Sequence, residues 1–232
     1  MVNKYELTKI IEKSAPPESA EPWDLSGWII ETPNQDVKKV MLCLTVTEDI
    51  LNQAQAQSCD MIISHHPLFT VPINFHRGID IYCAHTNLDK ALCGTTETLI
   101  KKLDFSVNRG IEHEFLRFCD CVMSFEKLLE ILKSVSKNIR YTNPKNLHTV
   151  KRIAFCGGSG TDFRHDALEY GAEVLITGDL KFHTALDSEI AIIDIGHFES
   201  EIPVLDELAR LLNEKVPVIK AQEESPIIQI NS

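Results

Sequence analysis

Residues 59–67 read CDMIISHHP, a short apolar run that ends on two histidines and a proline. The run has strand length and is rich in branched side chains, which predicts a buried β-strand over Cys59–Ser64. Successive residues of a strand face opposite sides, so His65 and His66 can share one site only where the strand has ended. Pro67 favours such an exit, because proline lacks a backbone donor and keeps the preceding residue extended.

Two further apolar runs surround this strand in the sequence. Lys38–Val46 (KKVMLCLTV) predicts a buried strand, and the helix predicted next, over Glu48–Gln57, has Thr47 placed to cap it. Ile79–Ala84 (IDIYCA) predicts a third strand. This alternation is typical of an α/β fold, in which ligands bind at the carboxyl ends of parallel strands.

The same order of patterns returns about 113 residues later. The aligned pairs are Lys38–Cys43 with Lys151–Cys156, Asp60–Ser64 with Glu173–Thr177, and His85-x-x-x-Asp89 with His197-x-x-x-Glu201. Apolar strands often resemble one another by chance, whereas a His-x-x-x-carboxylate motif rarely recurs by chance at two strand ends. We therefore predict two similar α/β domains from an internal duplication, a first half at residues 1–110 and a linker helix plus second half at 111–232.

Composition restricts the partners of this 232-residue chain, which has 44% hydrophobic residues. A net charge of −11 argues against nucleic acid or an acidic membrane surface as partner, because both need clustered Lys and Arg. The sequence shows no signal peptide and no run of about 20 apolar residues that would span a membrane. Its seven cysteines form no C-x-x-C pair, which favours reduced thiols in a cytoplasmic protein.

The polar residues at the predicted strand ends form a candidate metal site. The predicted ligands are three imidazoles and two carboxylates: His65, His66, Asp89, His197 and Glu201. This mixed set suits zinc, iron or manganese better than calcium or magnesium. Five ligands exceed the three that a catalytic zinc usually takes from protein, so we predict two divalent ions per subunit, bridged by Asp89 or Glu201.

Three more residues are predicted to lie near the metals. His85 could be a sixth ligand, a residue that orients Asp89, an acid/base group or an ordinary packing residue. Asp179 and His183 (TGDLKFH) follow the strand that corresponds to Cys59–Ser64, so we predict that they contact substrate or transfer protons. The alternative for Asp179 is simple helix capping.

A glycine-rich loop, Gly157-Gly158-Ser159-Gly160, follows the predicted strand Lys151–Phe155. Such a loop before a helix can bind phosphate through its amides. It matches neither the lysine-bearing P-loop nor G-x-G-x-x-G, which favours a tight turn over a phosphate site.

Four motifs together resemble a known family: SHHP (64–67), AHTNLD (84–89), TGDLKFH (177–183) and GHFESE (196–201). They resemble the Nif-three-like family, also named GTP cyclohydrolase 1 type 2, and with the early Trp23-Asp24 the resemblance covers nearly the whole chain. It implies two α/β domains that face each other across a dinuclear metal cleft, and a toroidal homohexamer. Its implied metal ligands are the same five: His65, His66, Asp89, His197 and Glu201. The short segment Phe105–His148 is typical of members without an inserted middle domain.

The resemblance implies a metal-dependent hydrolase that opens a ring of a nucleotide such as GTP, or of a related small molecule. Thr45 departs from the family, which usually has Asp at this position. The departure leaves the predicted ligands intact but weakens the inference of a shared substrate, and the sequence shows no guanine-reading pocket. The alternative from another class is a metal-binding regulatory or scaffold protein without turnover.

Overall fold

The computed structural model describes residues 1–68, 70, 75 and 77–228 and divides into two compact units. The first unit comprises Met1–Gly94 and Val204–Glu224, and the second comprises Thr95–Pro203 and the chain end from Ser225. These two units are defined by their compactness. The halves 1–110 and 111–232 are instead the segments of the proposed duplication, and they stay a prediction.

The secondary structure alternates between strands and helices along both units. The strands are β1 (Val2–Asn3), β2 (Gly27–Ile30), β3 (Asp36–Val37), β4 (Val40–Cys43), β5 (Met61–Ser64), β6 (Asp80–Cys83), β7 (Arg117–Ser124), β8 (Arg140–Thr142), β9 (Thr149–Phe155), β10 (Val174–Thr177), β11 (Ala191–Asp194) and β12 (Val218–Lys220). The helices are α1 (Lys4–Glu12), α2 (Glu48–Ala56), α3 (Thr86–Lys90), α4 (Thr95–Lys102), α5 (Phe125–Leu132), α6 (Arg164–Glu169), α7 (Phe182–Asp187), α8 (His197–Glu201) and α9 (Val204–Leu212). Short 3₁₀ turns lie at Pro17–Ser19 and Thr161–Phe163. Along the described residues, no helix is long and apolar enough to cross a membrane.

The first unit contains a five-stranded sheet in the order β12-β4-β5-β6-β2. The pairs from β12 to β6 are parallel, and β2 is antiparallel at the edge. Strands β4, β5 and β6 are buried along their whole length, as their apolar sequences predicted. Thr47 caps α2 by accepting a hydrogen bond from the backbone N–H of Ile50, also as predicted. The carboxyl ends of the four parallel strands therefore meet at one edge of the sheet.

The second unit contains a five-stranded sheet in the order β7-β9-β10-β11-β8. Strands β9, β10 and β11 are parallel, and both edge strands are antiparallel. The side chains of β10 alternate between the two faces of the sheet. Val174 and Ile176 pack in one apolar cluster, and Leu175 packs in another. Burial on both faces explains why β10 has no polar residue before Thr177.

Both units thus contain three consecutive parallel strands, β4-β5-β6 in one and β9-β10-β11 in the other. In the first unit β12 adds a fourth parallel strand, whereas β7 at the same side of the second sheet is antiparallel. The path from the last core strand to the histidine differs by one residue. Only Ala84 separates β6 from His85, whereas Ile195 and Gly196 separate β11 from His197. Gly196 has φ +93°, a backbone conformation that glycine adopts readily. The repeated topology is what a duplication predicts, and the duplication itself remains an inference from the sequence.

Candidate metal centre

His65 lies directly after β5 with its side chain fully buried. Its Nδ1–H donates to the carbonyl oxygen of Ala84 at 2.9 Å. Because a carbonyl only accepts, this bond leaves Nε2 as the unprotonated nitrogen of the neutral ring. Nε2 lies 3.6 Å from Oδ1 of Asp89, so two lone-pair donors converge where a cation would be stabilised. A backbone acceptor that fixes the tautomer is typical of metal-binding histidines.

His66 is oriented by the end of β4. Its backbone N–H donates to the carbonyl of Leu44 at 2.7 Å, and its Nδ1 lies 2.6 Å from the hydroxyl of Thr45. Glu223 holds this segment in place, since its carboxylate accepts the backbone N–H of Leu44 at 2.8 Å and of Thr45 at 3.2 Å. Thr45 therefore contacts a predicted ligand directly. Sequence reasoning did not foresee this contact.

His85 lies close to both histidines, with ring centroids 5.2 Å from His65 and 5.7 Å from His66. Its Nδ1–H donates to Oδ1 of Asp24 at 2.9 Å. Burial and the neighbouring His65 lower the pKa of His85, although Asp24 acts in the opposite direction. Burial alone would raise the pKa of Asp24, but hydrogen bonds from Thr86, His85 and Ser26 lower it to about 2. Asp24 is therefore the carboxylate that orients His85.

These three histidines form a group that could hold a metal ion. The ligand nitrogens of His65, His66 and His85 all lie within 4.8 Å of one another. The group includes His85, so the geometry suits the sixth-ligand alternative as well as an acid/base role. Imidazole nitrogens with a nearby carboxylate fit the borderline metals zinc, iron and manganese.

In the second unit, His197 and Glu201 share one face of α8 because they are four residues apart. The Nε2–H of His197 points to Oε1 of Glu201 at 3.1 Å, and its Nδ1–H donates to Oδ2 of Asp179 at 2.7 Å. The hydrogen bond that His197 donates to Glu201, together with the second carboxylate, Asp179, raises the pKa of His197 to about 9, against the opposing effect of burial. This pair could bind a cation in exchange for the proton on Nε2.

The two further residues predicted near this pair, Asp179 and His183, differ in their contacts. Asp179 reaches His197 and has φ +56°, and it does not cap α7, which starts after Lys181 without a side-chain cap. His183 lies exposed on α7, where its ring contacts Phe182. The side-chain contacts of the described residues bring Asp179, and not His183, to His197. The catalytic roles of both stay predictions.

The glycine-rich loop packs against Glu201. A Cβ on Gly158 would lie 2.3 Å from Oε1 of Glu201, and its φ of +66° also favours glycine. The amide of Gly158 donates to Oγ of Ser200 at 2.8 Å, and that of Gly160 donates to Oγ1 of Thr177 at 2.8 Å. With these amides bound to side chains, the loop is a tight turn beside the carboxylate, the alternative that the sequence favoured.

Ser200 lies inside α8, where its hydroxyl donates to the carbonyl of His197 at 2.7 Å. Glu201 is the last residue of α8, and α9 begins directly after Pro203. The residues after β11 therefore form two consecutive helices, and His197 and Glu201 both belong to the first.

Parallel strand ends that carry clustered imidazoles and carboxylates define an α/β protein with candidate metal-binding groups. Comparison with known proteins identifies its family. The chain belongs to the Duf34/NIF3 family (NGG1p interacting factor 3), whose model matches residues 2–231. This confirms the resemblance that the four motifs indicated.

Similar proteins include two named GTP cyclohydrolase 1 type 2 homolog. The protein of Clostridium perfringens is 31% identical over 242 residues, covering 91% of both chains. That of Campylobacter jejuni is 31% identical over 217 residues, covering 84% of this chain and 86% of its own. Among solved structures, protein SA1388 of Staphylococcus aureus has a TM-score of 0.84 at 22% identity, covering 99% of both chains. HcgD of Methanocaldococcus jannaschii has a TM-score of 0.82 at 24% identity, covering 94% of this chain and 97% of its own. At these identities the solved structures support the fold alone.

Proposed function

We propose that this protein is a metal-dependent hydrolase of a small molecule, with a dinuclear metal site. The proposed ligands are His65, His66, Asp89, His197 and Glu201. The observation that carries the proposal is the histidine group of the first unit, in which the Ala84 carbonyl leaves Nε2 of His65 unprotonated beside Asp89. The donor chemistry of His197 and Glu201 in the second unit supports the same metals.

When bound, paired divalent ions lower the pKa of water and supply the nucleophile for hydrolysis. The protein's own contribution is orientation. The Ala84 carbonyl and the Thr45 hydroxyl hold His65 and His66, while Asp179 holds His197. Such partners fix ring orientation and tautomer, and they tune the basicity of the ligand nitrogen.

His85 is suited to accept a proton during hydrolysis. Its lowered pKa keeps the ring neutral at neutral pH, and Nδ1–H is bound to Asp24. Nε2 is then the basic nitrogen, and the ionised Asp24 stabilises the imidazolium that forms when Nε2 takes up a proton. We assign His85 this acid/base role, with metal binding as its alternative.

For the substrate we propose a nucleotide or a related small molecule with a hydrolysable ring. Water would add across a C–N bond of the ring, the hydroxyl would join carbon, and the released nitrogen would take up the proton. The names of the curated relatives support this reaction class. The family resemblance also supports a toroidal homohexamer, which we propose on that ground. The absence of a C-x-x-C pair among the seven cysteines supports a cytoplasmic location, which we propose as well.

Metal analysis and an activity screen test the proposal. Protein purified without chelator should contain about two zinc, iron or manganese ions per subunit, and it should hydrolyse GTP or another cyclic substrate. His66→Ala should lose bound metal and turnover, whereas His148→Ala, which removes an exposed imidazole, should keep both. A wild-type protein that binds no metal would overturn the site. Bound metal without turnover across nucleotides, phosphoesters and cyclic amides would favour the scaffold alternative.

A further inference from the structure

The segment Glu21–Ser26 is held tightly against the start of α3. The Asp24 carboxylate accepts hydrogen bonds from the backbone N–H and hydroxyl of Thr86, at 3.0 and 2.6 Å, besides the one from His85. At one end, the backbone N–H of Glu21 donates to Oγ1 of Thr86, and its carboxylate lies 2.6 Å from Nζ of Lys90. At the other end, Ser26 accepts the backbone N–H of His85 at 3.2 Å. This segment is therefore anchored at both ends and in the middle.

Trp23 lies in the middle of this anchored segment, yet 60% of its surface is exposed. Its ring approaches His85 edge-on, with centroids 6.0 Å apart and planes at 75°. Leu25, two residues further on, is 44% exposed. Leaving a Trp side chain in water forgoes a large hydrophobic stabilisation, and the segment is already secured by polar contacts. Among the residues that the structure describes, the contacts of Trp23 give no structural reason for a tryptophan at this position.

We propose that Trp23 binds the substrate of the His65–His66–His85 group by stacking on a planar heteroaromatic ring. The proposal rests on the function proposed above and names the part of the substrate that the protein recognises. Its geometric basis is that Trp23 contacts His85, which in turn contacts both His65 and His66. A ring stacked on Trp23 would therefore lie beside the proposed acid/base group. Any flat aromatic ring can stack on a tryptophan, so this mode of binding requires no pocket that hydrogen-bonds one particular base.

Trp28 offers a comparison within the same unit. Its ring packs against Tyr5 at 5.8 Å and Tyr82 at 5.3 Å, and the Lys4 ammonium lies 5.1 Å from its centre. The ring of Trp28 is therefore packed against other side chains of the unit, and its fluorescence should respond little to a ligand. Trp23 carries the exposed face.

Fluorescence of metal-free protein gives a test that needs no turnover. In a Trp28→Phe variant, Trp23 is the only tryptophan. Guanosine monophosphate should quench its emission saturably, whereas ribose 5-phosphate, which lacks the base, should not. Equal responses to the two probes, or no response to either, would overturn the proposal. Should Trp28→Phe fail to fold, the wild type is titrated against Trp23→Phe, and the quenching should be present only in the wild type.

Kinetics give the second test once a hydrolysed nucleotide has been found. Trp23→Leu should raise KM roughly 5- to 150-fold with a smaller change in kcat, because stacking is worth roughly 1–3 kcal/mol per base. Trp23→Phe should recover most of the loss. The matched control is Tyr141→Leu, which removes a 55% exposed aromatic side chain from β8 in the second unit. An unchanged KM in Trp23→Leu would overturn the stacking role while leaving the hydrolase proposal intact.

The remaining outcomes separate the two proposals. Base-dependent quenching of Trp23 in a protein that hydrolyses nothing would support the stacking site and count against the hydrolase. A second copy of the chain could also cover Trp23. If Trp23→Leu elutes as a smaller species than the wild type and the base causes no quenching, the residue belongs to a subunit interface and the stacking proposal is wrong.

Discussion

The two units present the same His-x-x-x-carboxylate motif with opposite shifts of the histidine pKa. In the first unit burial and the neighbouring His65 lower the pKa of His85, although Asp24 accepts its Nδ1–H. The two histidines beside it are oriented by neutral groups, a carbonyl for His65 and a hydroxyl for His66. In the second unit His197 lies between Asp179 and Glu201, and its pKa is raised to about 9. The two copies of the motif therefore differ in the pKa of their histidine.

The difference originates in the residues that come directly after the core strands. After β5 the chain places two imidazoles side by side, whereas after β10 it places Gly178 and Asp179. One group is thus rich in nitrogen ligands and the other pairs one imidazole with two carboxylates. If both bind metal, the first should hold its ion mainly through neutral donors, and the second through donors that also offset the ion's charge.

The largest effect should come from adding a methyl group beside Glu201. Gly158→Ala places a Cβ 2.3 Å from Oε1 of Glu201 at φ +66°, so the carboxylate must move. We expect loss of metal bound by the second group, measured by metal analysis, and a fall of about 1–3 kcal/mol in the free energy of unfolding. Gly171→Ala is the control, because it has φ +78° but meets only the flexible end of Arg152 at 3.4 Å. Equal metal loss in both variants would mean that backbone strain, and not the contact with Glu201, is responsible.

An intermediate effect is expected from neutralising one carboxylate of the second group. Asp179→Asn keeps the shape and tolerates the left-handed backbone, but it removes a charge that stabilises the imidazolium. The pKa of His197 should fall below its value of about 9, as measured by NMR titration of the metal-free protein. Metal affinity should drop about ten- to a hundred-fold, because the ring also loses its orienting partner. An unchanged pKa would show that Glu201 alone controls His197.

The smallest effect should come from the neutral partner in the first group. Thr45→Val removes the hydroxyl at 2.6 Å from Nδ1 of His66 while keeping the side chain's shape. Metal affinity should fall about ten-fold or less, since a hydrogen bond between neutral groups is worth about 1 kcal/mol. Thr45→Ser should restore it, which separates orientation of His66 from packing. Should Thr45→Val weaken binding more than Asp179→Asn does, the contrast between the two groups would be wrong.

Much of the candidate site can be predicted from local sequence. The positions of His65, His66 and His85 after buried strands follow from apolar runs of strand length, because strand ends are local features. The repeated His-x-x-x-carboxylate motif predicted that His197 and Glu201 act together, whereas the helix α8 that contains both was seen only in the structure. Both predictions used only residues that are near one another in the chain.

The partners of those residues could not be predicted in the same way. Asp24 is 61 residues from His85, and Thr45 is 21 residues from His66. The Glu223 contact to Leu44 spans 179 residues and depends on β12 pairing with β4. No local pattern encodes such a contact, since it exists only once sheet order and register are established.

The histidine pair after Cys59–Ser64 illustrates which features the sequence determines and which the tertiary structure determines. The sequence by itself determined that a buried strand ends there on two imidazoles, because hydrophobic periodicity and a following proline act over a few residues. Only the tertiary structure decided which nitrogen of His65 carries the proton, that Thr45 contacts His66, and that Trp23 lies exposed beside His85. Those features require atoms from distant segments to meet, and it is the packing of the sheet that brings them together.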